Sequence, residues 1–313
     1  MHIAVYLPLL LPAPASLTAR WLSARLSPRA GTWLLTIAAA MLAAANGIAL
    51  SVLTATAVGQ LPFFAALGRW SASVLRRDDP ASLVVALVAG AVLSVASTAA
   101  ARMLLRRTAA VLEAARAARG LPGGARVAVV DDPAPDAYAV PGRPGRIVVS
   151  TGMLDALDAR EQQALLAHEH AHLTGRHHLF VALVDLACAT NPFLRSLADA
   201  VRYTTERWAD EHAAATVGDR RLVARTIGKA ALISRRDPTP PSIALGMTGG
   251  PAPSLRGAGP IPRRVAAMLT TPARADLLAI VLAIAVPVLA LAASVEAMRD
   301  LHALFELAEL GTR

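Results

Sequence analysis

Cysteine occurs once in this 313-residue chain, at Cys188. No intrachain disulfide can form, and no thiolate cluster can hold a metal. Cys188 lies in the apolar stretch 179–189 and reads as a small packing residue. Lysine also occurs once, at Lys229, so arginine carries nearly all of the +9 net charge. Aromatic residues make up only 4% of the chain, and no basic stripe with interleaved aromatics is present. Direct nucleic-acid binding is therefore not expected. Charged residues are scarce too, at 17%, below the ~25% of ordinary soluble domains.

What replaces charge is apolar sequence, with 55% hydrophobic residues and a mean hydropathy of +0.48. The apolar residues are gathered into runs. Residues 32–58, 81–101 and 277–295 are each long enough for the ~20 residues that cross a bilayer. Pro287 lies inside the last run, which membrane helices tolerate. Residues 2–17 are apolar but interrupted by Pro8, Pro12 and Pro14. They lack the basic start and cleavage site of a signal peptide, so they read as a further membrane helix.

Arginine placement orients these segments. Arg20, Arg25 and Arg29 follow the first, and Arg102, Arg106, Arg107, Arg116 and Arg119 follow the third. Between the second and third, Asp78 and Asp79 offset two of Arg69, Arg76 and Arg77. The positive-inside rule places residues 18–31 and the region after 102 in the cytoplasm. The amino terminus and the acidic tail with Glu296, Asp300, Glu306 and Glu309 then lie outside. Arginines beside spans also make membrane lipid an expected partner. Composition of this kind suits a bacterial cell-membrane protein.

Three parts follow: an N-terminal membrane region over 1–108, a compact α+β region over 109–272, and a C-terminal membrane helix with a short tail over 273–313. Residues 126–130 and 146–150 read as strands, rich in Val and Ile. Residues 234–262 hold so many prolines and glycines that they read as an irregular loop, either a linker or a lid.

The chemistry concentrates at His168-Glu169-His170-Ala171-His172, which fits H-E-x-x-H. Asp158 and Glu161 form a capping-box pattern ahead of it, strong helix formers fill 161–167, and Gly175 is a plausible stop. On that helix His168 and His172 share one face and can aim at one metal ion, with Glu169 beside it as general base. A third ligand is sought downstream. Asn191-Pro192 reads as a helix start, which puts Glu206 and Asp210 on one face of the next helix. Glu206 would ligate the metal, and Asp210 would fix the tautomer of a ligand imidazole.

His168-Glu-x-x-His172 followed by Glu206-x-x-x-Asp210-x-x-Ala213 resembles the gluzincin membrane proteases. These include the HtpX-like and CaaX-prenyl-protease group and the BlaR/MecR-type antirepressors. Upstream, Asp136-Ala137-Tyr138-Ala139-Val140-Pro141-Gly142 is similar to the Asn-Ala-x-Ala-x-Gly segment of HtpX-like enzymes, with Asp136 in place of Asn. Residues 146–154 are similar to the strand and turn before the family's metal helix. The likeness covers about residues 120–215.

The resemblance implies an α-helical multi-pass membrane protein with an inserted α+β zincin-like metalloprotease domain. One Zn²⁺ per chain would be held by His168, His172 and Glu206, with Glu169 catalytic and Asp210 behind a ligand. Asp136, Ala137, Tyr138, Ala139 and Val140 would receive a protein substrate along an edge strand. His177 stands where these families often carry Asp; beyond the expected helix stop it reads as a polar boundary residue. Arg202, Arg207 and His212 are near enough in sequence to supply an oxyanion donor, and nothing selects among them.

Three roles fit these residues. A BlaR/MecR-like protease would cut a cytoplasmic transcriptional repressor, favoured by three spans before the domain and one after. The tail at 297–313 is too short for an external β-lactam sensor. An HtpX-like protease would clear damaged membrane proteins. A catalytically inactive signalling protein would keep the fold alone.

Overall fold

The structure, a computed structural model, describes residues 4–78, 83–120, 126–142, 144–233, 260–270 and 276–310. The chain opens with α1 (Leu7–Leu10) and α2 (Pro12–Arg25), then α3 (Pro28–Gly59), α4 (Pro62–Gly68), α5 (Ala72–Asp78) and α6 (Leu83–Gly120). Strands β1 (Val127–Val130), β2 (Ala137–Val140) and β3 (Arg146–Ser150) follow. Then come α7 (Thr151–Ala156), α8 (Ala159–Thr174), α9 (His177–Thr190), a 3-10 turn at Pro192–Leu194 and α10 (Arg195–Val217). The last helices are α11 (Arg220–Ile233), α12 (Pro260–Leu269) and α13 (Leu277–Leu310).

Among the described residues, α3, α6 and α13 are long and apolar enough to cross a membrane. At 1.5 Å per residue, the 32 residues of α3 run ~48 Å, more than a hydrocarbon core needs. Helix α6 continues without a break past residue 108 into the following region. Helix α13 passes through Pro287 and carries the acidic tail as part of the same helix.

The described part of the 2–17 segment does not form a single helix of span length. Prolines lack the N–H that sustains a helical ladder, and the chain divides at Leu11 into α1 and α2. Helix α2 instead buries Ala15, Ala19 and Leu22 in the main core, against α10. Its Ser16 hydroxyl donates to the Phe193 carbonyl. Two span-length helices, rather than three, therefore precede the α+β region among the described residues.

Three contacts draw the ends of the spans together. Thr32 Oγ1 donates to Thr204 Oγ1 at 3.1 Å, joining the start of α3 to α10. Arg107 Nη1 reaches Asp185 Oδ2 at 2.9 Å, joining α6 to α9. Arg25 Nη1 meets Asp276 Oδ2 at 2.8 Å, joining the end of α2 to the start of α13. The arginine-rich segments thus share one end of the bundle with the α+β region. At the other end, Trp70 Nε1 donates to the Gly59 carbonyl at 2.8 Å, and Ser71 N to the Ala308 carbonyl at 2.9 Å.

One core spans all three parts of the chain. Leu35, Ala39 and Leu42 of α3 pack with Phe180 and Val184 of α9, Leu197 and Val201 of α10, and Ala279 and Ala283 of α13. The short sheet sits apart, in the order β1-β3-β2. Strand β3 is buried throughout, parallel to β1 and antiparallel to β2, with Ala137 opposite Val149 and Val140 opposite Arg146. Strand β2 is consequently an edge strand beside α8.

The expected irregular stretch 234–262 is corrected at its end. Pro260, Ile261 and Pro262 open α12, where a first-turn proline needs no intrahelical N–H bond. The remainder, 234–259, lies outside the described residues.

The turn from β3 into α7 admits only glycine at 152. A Cβ there would stand 2.0 Å from the backbone carbonyl oxygen of Pro133, and backbone cannot yield as a side chain can. Gly152→Ala is expected to destabilise the fold by roughly 1–3 kcal/mol or more. A lowered midpoint in thermal unfolding of the detergent-solubilised protein would register it; an unchanged midpoint would contradict this packing.

Candidate metal centre

Helix α8 starts from a complete capping box. Asp158 Oδ1 accepts from the backbone N–H groups of Arg160 and Glu161, both at 2.9 Å. Glu161 Oε2 accepts from the Asp158 N–H at 3.0 Å. The sole lysine, Lys229 of α11, holds the same Glu161 oxygen at 2.6 Å. This fixed start sets the rotation of the helix, and hence where its histidines point.

His168 and His172 lie one turn apart with their Nε2 atoms 3.1 Å from each other. Glu206 enters from α10, with Oε2 3.6 Å from His168 Nε2 and Oε1 3.5 Å from His172 Nε2. Two ligands bound at ~2.0–2.1 Å in a tetrahedron are ~3.3–3.4 Å apart. The three separations straddle that value, so two imidazole nitrogens and one carboxylate outline a tetrahedral face. The donor set and its spacing fit Zn²⁺, and a cavity adjoins His168 and Glu206. Glu169 and Asp136 line that cavity together with His168, Glu206 and Arg264; its volume is about 230 Å³.

Each imidazole also has a polar neighbour behind it. Asp210 Oδ1 lies 3.0 Å from His168 Nδ1, as the helical spacing of Glu206 and Asp210 predicted. His177 departs from expectation. Arg176, at φ 51°, ends the first helix in the left-handed region, and α9 begins at once, so His177 is buried instead of at a polar boundary. Its Nδ1 is 3.0 Å from His172 Nδ1. Burial pushes the His177 pKa down to about 3, so the ring is neutral and can accept a proton shared by His172. A neutral imidazole thus stands behind one candidate ligand and a carboxylate behind the other.

The proposed substrate strand is placed beside this site. Asp136 N donates to Ser150 Oγ at 2.9 Å, fixing the start of β2, and Ala137 lines the cavity with Asp136. Tyr138, Ala139 and Val140 continue the edge away from it.

Comparison with known proteins decides the family. The signature of peptidase family M48 matches residues 101–272, more than half the chain. The chain belongs to peptidase family M48. It is also 40% identical over 65 residues to a protease HtpX homolog of Dictyoglomus thermophilum, a stretch covering 20% of this chain and 21% of that protein. The chain thus matches about a fifth of that curated relative's length. No solved structure matches it.

The M48 site holds one residue that the sequence did not reveal. Arg264 of α12 donates from Nε to Asp210 Oδ2 at 2.8 Å and from Nη2 to Asp210 Oδ1 at 2.6 Å. Its Nη1 is 2.7 Å from Glu206 Oε2. Burial opposes ionisation of both carboxylates. Arg264 outweighs it, holding Glu206 well below the usual carboxylate range and Asp210 below it as well. Burial meanwhile pushes Glu169 up to about 7, near the value that suits a general base. By contrast, none of Arg202, Arg207 and His212 lines the cavity. Arg202 pairs with Asp185 and Asp199, Arg207 stacks on Tyr203, and His212 lies beside His170. The one sequence signal for Arg264 was Pro260-x-Pro262 followed by two arginines, a possible helix start inside a proline-rich stretch.

Two outcomes follow for this M48 centre. Arg264→Ala leaves the buried Asp210 and the half-buried Glu206 without their cation and should destabilise the protein by about 3–5 kcal/mol. A small change in thermal midpoint would contradict that. Gly175→Ala would place a Cβ 2.4 Å from His177 Nε2 and push that ring from His172. Zinc affinity measured by competition with a chelator should fall about tenfold or more; unchanged affinity would show that His177 does not support His172.

Proposed function

We propose that this M48 member is a zinc-dependent endopeptidase of the HtpX-like kind, cutting membrane proteins at the cytoplasmic face of a bacterial membrane. The observation that carries this reading is the triangle of His168, His172 and Glu206 with Glu169 beside it on one cavity. Zinc, when bound, supplies a Lewis acid that polarises the scissile carbonyl and acidifies a water.

This chain's residues do the rest. Glu169 takes the water's proton and delivers it to the leaving amine, a shuttle suited by its near-neutral pKa. The free edge of β2, from Asp136 to Val140, pairs with an extended substrate through backbone hydrogen bonds. Arg264 keeps Glu206 ionised and aimed at the metal. Met153, Leu165, Val223, Ile227 and Ile261 give the same cavity an apolar wall, against which a substrate side chain would pack. Asp210 and His177 hold the two imidazoles in the tautomer that leaves Nε2 free to ligate.

The cytoplasmic assignment rests on the arginines gathered at the end of the bundle that holds the site. The choice between roles rests on the HtpX relative and on the span count. A repressor-cutting role of the BlaR/MecR type drew on three spans before the domain, and only two of span length precede it among the described residues.

Glu169→Gln in the full chain, reconstituted in lipid with a destabilised membrane protein as substrate, tests the reading. Cleavage should fall at least ~100-fold while zinc content stays the same. Undiminished cleavage would overturn the role of Glu169. Cleavage confined to a soluble repressor, with membrane proteins untouched, would overturn the HtpX-like role.

A further inference from the structure

A second cavity lies away from the metal centre, between α6 and α9 at the end of the bundle that holds the α+β region. Its volume is about 1090 Å³, above the ~300–1,000 Å³ of ordinary small-molecule pockets. One wall is a single stripe of α6. Successive turns present Ser94 and Val95, then Thr98 and Ala99, then Arg102 and Met103, then Arg106 and Arg107. Residues four apart share a helix face, so this stripe changes along its length from uncharged, with Val95 and Ala99 beside the hydroxyls of Ser94 and Thr98, to strongly basic. The change falls where α6 leaves the span and meets the α+β region. Asp185, Cys188 and Ala189 of α9 form the opposite wall, and Arg195 of α10 lines it as well.

Among the described residues, the charge of this groove is not balanced. Asp185 is the acidic residue that lines it, and it is already engaged by Arg107 at 2.9 Å and by Arg202. Arg107 also donates to the His178 carbonyl at 3.2 Å, so it is fixed as part of the wall. Arg102, Arg106 and Arg195 have no ion-pair partner among the described residues. Three guanidinium groups without an ion pair among the described residues thus line a groove whose other end is uncharged and opens at Val95, which is 70% exposed. Guanidinium groups match phosphate oxygens in geometry as well as charge.

We propose that this groove binds one anionic phospholipid, its phosphate held by Arg102, Arg106 and Arg195 and an acyl chain lying along Val95 and Ala99. The lipid would brace α6 against α9, the helix that supplies His177 to the metal centre. The groove does not depend on the proteolytic reading, and its test needs no activity.

The full chain is purified in mild detergent, supplied with phosphatidylglycerol or phosphatidylcholine, and examined by native mass spectrometry. One retained phosphatidylglycerol per chain, with phosphatidylcholine washed away, is expected. The double variant Arg102→Gln/Arg106→Gln should weaken retention on the order of thirtyfold, and Arg102→Lys/Arg106→Lys should keep most of it. Ala99→Trp fills the apolar end without changing charge and should also release the lipid. Arg116→Gln, further along α6 and outside the groove, should have no effect. Equal retention of both lipids, or a loss with Arg116→Gln as large as with the double variant, would overturn the proposal. So would full retention in Ala99→Trp.

Discussion

The structure of the centre depends on one buried cation. Asp210 has no exposed side-chain surface, and Glu206 faces the cavity only in part. Two carboxylates one helical turn apart repel each other and resist leaving water. Arg264 answers both with three short contacts. It therefore fixes where α12 docks, which face α10 presents, and how His168 is turned. Because α10 also packs on α2, α3 and α9, the same helix ties the metal centre to the membrane bundle.

That coupling explains why the membrane region is not a mere anchor. The core is continuous from the spans to the helix of Glu206, and Thr32 bonds directly to Thr204, two residues before it. Helix α2, whose first turns belong to the 2–17 segment read as a span, packs against α10. A displacement of α3 in the membrane would be felt at Glu206 through packed side chains and not through a flexible linker.

What the sequence made legible was local. The capping box of Asp158 and Glu161, the i,i+4 histidines and the Glu206/Asp210 pair each depend on residues within one or two helical turns. All of them stand where the spacing put them. The strands at 127–130 and 146–150 were legible from their Val and Ile content. Three features were not. Arg264 meets Asp210 across 54 residues, and no periodicity records a tertiary ion pair. His177 was hidden because Gly175 reads as a stop, while a single left-handed residue at Arg176 lets a new helix begin at once. The division of the amino-terminal segment at Leu11 was the third, because summed hydropathy ignores the missing N–H groups of Pro8, Pro12 and Pro14.

Zinc content measured by mass spectrometry after equilibrium dialysis probes the metal assignment most directly, comparing the wild-type chain with Glu206→Gln. Glutamine keeps the shape of the side chain and removes the charge, while Asp210 still holds Arg264. One zinc per wild-type chain is expected, with affinity at least about a hundredfold weaker in the variant and folding preserved. Equal, stoichiometric zinc in both proteins would contradict the placement of Glu206 as the third ligand.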